Sequence, residues 1–272
     1  MRSLVMPRKR KRLDGRCVFC LEDMSDYPAK DKTDEHVIPD ALRGDYVIED
    51  GACSDCAQKS NKEYENIALN NDLLVPRRLL DLKSSKKRGK NAKQPKPLPP
   101  VALGNATMDP NAEFSIHLEV DQYPQSFALI YFPPPGLLAG VDRGSDLKMI
   151  AMHHYNLSNR GAMNVTQQIR MSNGPFAMMI AKIGYCFAAA ELGIEGFYGD
   201  QIRDLLAGRR DDLYNFVGGC STPEKLTDRH LHGLYLRRRG DYWTALVHLF
   251  ASCDADKSKP SAPYEVVVGR FR

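Results

Sequence analysis

Two Cys-x-x-Cys pairs constrain this chain more than any other feature. Cys17-Val18-Phe19-Cys20 and Cys53-Ser54-Asp55-Cys56 stand thirty-two residues apart. Each pair presents two thiolates from one tight turn. Together they supply a tetrahedral shell of four sulfurs, the donor set of a structural zinc site. Such a shell is closed, so its metal holds the fold and does no chemistry. Between the pairs lies Thr33-Asp34-Glu35-His36-Val37-Ile38-Pro39. An acidic residue followed by a histidine, held between the halves of the clip, is a metal-and-base pairing suited to phosphodiester hydrolysis.

These residues resemble the HNH (ββα-metal, treble-clef) endonucleases, in the branch braced by a four-cysteine zinc. The likeness rests on the Cys17/Cys20 knuckle, Glu35-His36-Val37-Ile38-Pro39, Ala41-Leu42-Arg43-Gly44, and Cys53/Cys56 at the start of a helix. It covers about a fifth of the chain. The resemblance implies a metal-dependent endonuclease acting on DNA, or on RNA, since the scaffold reads backbone geometry more than sugar type. His36 would be the general base that activates water. Glu35, or Asp34 in its place, would hold a catalytic Mg²⁺ or Mn²⁺ that stabilises the leaving 3′ oxygen. The structural Zn²⁺ would sit on Cys17, Cys20, Cys53 and Cys56.

The sequence departs from the family at the second ligand of the catalytic ion. The family places Asn or His directly after the fourth cysteine, where this chain has Ala57. Asn61 lies four residues on, one helical turn along the same face, with Glu65 a turn further. Either Asn61 takes over the ion, or the centre has decayed and the chain is a zinc-braced nucleic-acid-binding or scaffold protein. The family's middle asparagine is also absent; Ile48, Glu49 and Asp50 occupy that region.

Charge is unevenly spread. Residues 1–96 carry 21 Lys and Arg against 16 Asp and Glu, and the remainder 17 against 18. The cysteine-rich end is thus the basic end, as a polyanion-binding module requires. Candidate phosphate contacts are Arg8, Lys9, Arg10, Lys11 and Arg12 in an amino-terminal arm, with Arg43, Lys59 and Lys62 around the site. No apolar run follows the arm, and the cysteine count is odd. Both argue against a secreted disulfide scaffold. Pro175–Leu192 is the one long apolar stretch, and Lys182 and Gly184 interrupt it. The expectation is a soluble intracellular protein, cytoplasmic or, in a eukaryote, nuclear.

The expected fold class is α+β, in four parts. Residues 1–16 form the basic arm, and 17–82 the zinc-braced ββα module. Residues 83–100 are a basic, Pro-rich linker, unable to bury a core. Residues 101–272 form a larger α+β domain with an antiparallel sheet and a central buried helix. This last domain is open to a protein partner or a second copy of the chain. In the module, strands are expected at Glu35–Ile38 and Tyr46–Ile48, then a helix to Asn70. Beyond it, Phe114–Val120 and Phe127–Phe132 read as paired strands. Pro175–Glu191 reads as a helix capped by Asn173 or Gly174 and stopped by Gly193. His230–Arg237, Tyr242–Ala251 and Tyr264–Arg270 read as a meander, with helix a rival for the second. His153, His154, His230 and His232 read as ordinary strand or loop histidines.

Overall fold

The structure is a computed structural model, and it describes residues 9–82, 96–103, 117–147, 151–157, 165–167, 171–221, 230–253 and 261–272. The fold is mixed α+β with antiparallel sheets. The amino-terminal part is built on a hairpin, β2 (Lys32–His36) against β3 (Tyr46–Cys53), antiparallel with Glu35 opposite Ile48 and His36 opposite Val47. The turn between them depends on Gly44. A Cβ there would lie 1.8 Å from the Ile38 carbonyl oxygen, so only glycine lets the backbones approach.

The described part of the arm is extended. Lys9–Arg12 forms a strand, β1, parallel to β3 and in register from Lys9 with Tyr46 to Arg12 with Glu49. All four of its side chains are exposed. The helix after Cys53 begins as α1 (Ser54–Ser60), widens into a π-helical turn at Asn61–Glu65, and closes as α2 (Asn66–Asn70). A short α3 (Leu74–Leu79) comes next and carries Pro76 in its first turn, where a missing N–H costs nothing.

The second part centres on a helix. β4 (Val101–Leu103) pairs with β7 (Val165–Gln167). β5 (Ser126–Tyr131) pairs with β6 (Ala151–Asn156), not with the Phe114–Val120 stretch. Residues 114–116 of that stretch lie outside the described residues, and 117–120 form no strand. α4 (Gly136–Ala139) lies between β5 and β6, and α5 (Asn173–Leu192) comes after β7. β8 (Phe197–Tyr198), α6 (Asp200–Leu206), α7 (Leu213–Phe216) and β9 (Val217–Gly219) lead to the meander β10 (Gly233–Arg239), β11 (Tyr242–His248) and β12 (Tyr264–Phe271). The meander is antiparallel throughout; β11 is a strand and not a helix, with β8 and β9 pairing to β12.

α5 is the buried centre. Ser172, one residue ahead of the expected cap, precedes it, and Gly193 at φ +78° ends it. By length and composition α5 could cross a membrane, but 78% of that window is buried inside the fold. One side of it meets the sheet, where Gly184 packs against Val266. Another meets the amino-terminal module: the Tyr185 hydroxyl donates to the Val18 carbonyl at 2.6 Å, and Phe187 sits edge-on to Tyr46. Residues 83–95 of the expected linker lie outside the described residues. On both sides of them, from Cys17 to Val268, the buried apolar side chains pack as one continuous core.

Candidate metal centre and the buried charge cluster beside it

The knuckle, β3 and α1 bring Cys17, Cys20, Cys53 and Cys56 together, with all four sulfurs within 4.8 Å of one another. Backbone geometry arranges this. The Val18 N–H donates to the Gly51 carbonyl at 2.8 Å, which pins the knuckle to the end of β3, and Leu21 turns the chain with φ +65°. The Cys53 N–H points at the Cys17 sulfur, 3.4 Å away. Hydrogen bonding with Cys56 pulls the Cys17 thiol down to about 5, while burial pushes Cys20 up to about 12. Four mutually close sulfurs are a fitting donor set for a structural zinc ion.

One strand away lies a cluster of buried charge. Glu35 is 6% exposed and Lys182, from the middle of α5, is 1% exposed. The Lys182 ammonium is ion-paired with Glu35 and with Glu65, the latter at 2.9 Å, and it donates to the His36 carbonyl oxygen at 2.5 Å. The ammonium hydrogen-bonds to Glu35 and to the His36 carbonyl, while Glu65 Oε1, buried and close by, is held by charge alone and accepts no hydrogen bond from the described residues. Burial opposes its charge, but the two carboxylates outweigh that and raise its pKa. Two carboxylates share one cation in low dielectric, and burial pushes the Glu35 carboxyl up to about 7.

The expected catalytic residues fare differently. Glu35 and His36 are neighbours on β2, so their side chains leave opposite faces; Glu35 goes inward and His36 is half-buried. Asn61 is exposed on the outer side of the π-turn. The expectation that Asn61 and Glu65 share a face assumed 3.6 residues per turn. A π-turn adds a residue and rotates the next turn of helix, so Glu65 turns in to Lys182 while Asn61 does not. The catalytic divalent ion implied by the resemblance therefore does not fit the residues as arranged: Lys182 fills the place beside Glu35, and Asn61 is not brought to it. Asp34 is engaged as well, accepting from Arg10 at 2.7 Å and from the Asp50 N–H at 3.1 Å.

The expected phosphate contacts are mostly occupied by the protein itself. Arg8 lies outside the described residues. Lys9 pairs with Glu191 at 2.5 Å and stacks over Tyr46, Arg10 pairs with Glu49 and Asp34, and Arg12 pairs with Asp50 at 2.7 Å. Arg43 reaches the Asp81 carbonyl and Lys59 the Ala207 carbonyl. Lys11 and Lys62 are exposed. Two arginines of the sheet stack on rings: Arg238 over Trp243 and Phe271, and Arg270 over Tyr242.

Sequence reasoning missed Lys182 as a site residue. Its signal was present, because a lone charge in a helix apolar on every face needs a buried countercharge. Compared with known proteins, the chain matches no family model, no curated protein and no solved structure.

Proposed function

We propose that this chain is a zinc-braced nucleic-acid-binding protein of the HNH kind whose nuclease-type centre is closed, so that it binds without metal-dependent hydrolysis. The observation that carries this reading is the engagement of Glu35, the carboxylate a catalytic ion would need, by Lys182 deep in the core. An ion entering there would have to displace a tethered ammonium from two carboxylates and a carbonyl. The four-cysteine cluster supports the HNH likeness, since it draws the Glu35-His36 strand and the helix after Cys53 together as that scaffold requires. Nucleic-acid binding draws support from Arg238 and Arg270, exposed guanidiniums stacked on aromatic rings, an arrangement that suits bases and phosphates together.

The rival reading is the hydrolase itself, with His36 as base and Glu35 and Asn61 on a divalent ion. The Glu35-His36 pair on the clamped strand favours it. A plasmid and a single-stranded oligonucleotide, DNA and RNA, incubated with the zinc-loaded protein and millimolar Mg²⁺ or Mn²⁺ separate the two. The expected result is salt-sensitive retention of nucleic acid in a gel shift with no cleavage. Cleavage by the wild type that His36→Ala abolishes would establish the hydrolase; neither retention nor cleavage would remove both readings.

A further inference from the structure

We propose that Glu35, Glu65 and the carbonyl of His36 form a cation site in which Lys182 is the resident ion, and that these same oxygens take a hard divalent cation once that ammonium is removed. The inference deepens the reading of a closed centre and rests on it for the claim that the wild type excludes metal. Its own grounds are geometric. The three oxygens come from two separate elements, β2 and the π-turn after α1, yet converge on one nitrogen at hydrogen-bonding distance. A cation sits at their focus, donated by a third element, α5. Two carboxylates and a carbonyl, all oxygen, are the donors that Mg²⁺, Mn²⁺ or Ca²⁺ select, with water completing the shell.

Charge favours the exchange. At pH 8, where the titration is run, ionising both carboxylates leaves an excess negative charge over the one ammonium, which a divalent ion would cancel in full while displacing any proton held by Glu35. The wild type nevertheless excludes the ion, because the ammonium is attached. Lys182 lies between Ala181 and Ile183, both fully buried, so its nitrogen is delivered at an effective concentration far above any free metal. Truncating the side chain frees the oxygens and leaves a narrow void in which an ion and its waters replace the methylene stem.

The test counts metal directly and does not depend on activity. Wild type, Lys182→Ala and Lys182→Gln, each zinc-loaded and passed over a column to remove excess ions, are titrated with Mn²⁺ at pH 8 while free Mn²⁺ is followed by electron paramagnetic resonance. Both variants should bind one Mn²⁺ at least tenfold more tightly than wild type, and adding Glu35→Gln should abolish that gain. A variant that does not fold alone should fold when millimolar Mn²⁺ is present. Wild-type binding equal to the variants, folded variants without the extra Mn²⁺, a gain that survives Glu35→Gln, or variants unfolded with and without Mn²⁺ would overturn the proposal. Cleavage and gel-shift results on the wild type judge the closed-centre reading separately, so the two can fail independently.

Discussion

At the scale of the residue, Lys182 governs the candidate centre. Removing one member of a buried ion cluster leaves the others uncompensated, at a cost of about 3–5 kcal/mol. Lys182→Met keeps the volume and drops the charge, so urea unfolding at pH 8 should register a loss of that size. The sign of its pH dependence is set by Glu35, whose carboxyl is already up at about 7 in the wild type because it is buried. Without the ammonium beside it, that pKa rises further. A folded acid with a raised pKa binds its proton more tightly than the unfolded chain does, so stability returns as pH falls through the folded pKa toward the ordinary carboxylate range. Lys182→Met should therefore recover much of its lost stability at pH 5, and a variant equally destabilised at both pH values would contradict this account. The sequence made Glu35 and His36 legible as a pair, through their place between the cysteines. It held no sign that Glu35 points inward, because that depends on a helix about 150 residues away. A period-2 strand reading fixes only that the two neighbours face opposite sides.

At the scale of the element, the four cysteines were the most readable feature, because their spacing alone predicts convergence, and they do converge. The hairpin and its helix were readable for the same reason. The π-turn at Asn61–Glu65 was not, since nothing in composition marks one extra residue per turn, and it re-aims both expected ligands. The clamp leads to a concrete expectation. A structural zinc contributes on the order of 10–16 kcal/mol to the folding of small zinc modules at neutral pH. Metal analysis should find one zinc per chain, and Cys20→Ser or Cys53→Ser should lose it. A strong chelator should lower the melting temperature and strip amide protection from residues 17–60 first. Protection unchanged by chelation would mean that the sulfurs act as ordinary buried cysteines. The α5–β12 contact makes a second expectation at this scale. A methyl group on Gly184 would stand 2.7 Å from Val266 Cβ, in a core with no slack. Gly184→Ala should destabilise by about 1–3 kcal/mol despite the higher helix propensity of alanine, as overpacking does. Thermal unfolding of the two proteins compares them directly.

At the scale of the whole molecule, the chain was expected to divide at residues 83–100, on composition. Composition reports what a segment cannot bury; it is silent on whether the segments either side pack together, and here they share one core. Besides Lys182 and Tyr185, a histidine makes the joint. The His232 Nε2–H donates to the Leu42 carbonyl at 2.9 Å, and the Phe250 N–H donates to its Nδ1 at 3.2 Å. With one nitrogen donating and the other accepting, the ring is held neutral, and burial lowers its pKa to about 4. An unfolded histidine titrates near 6.5, so between pH 6.5 and 4 the unfolded chain binds the extra proton and the folded chain does not. Stability from this joint is complete above pH 6.5 and is lost as pH falls toward 4, by about 2 kcal/mol after discounting for partial exposure. His232→Gln cannot titrate, so the wild-type-minus-variant difference in unfolding free energy should shrink by that amount between pH 7 and pH 4. A difference that stays constant across that range would mean that the histidine is solvated and that the meander does not depend on it for its grip on the cysteine module. If the difference shrinks as expected, acid should loosen the two halves together, and hydrogen exchange at Leu42 and Phe250 should rise in step.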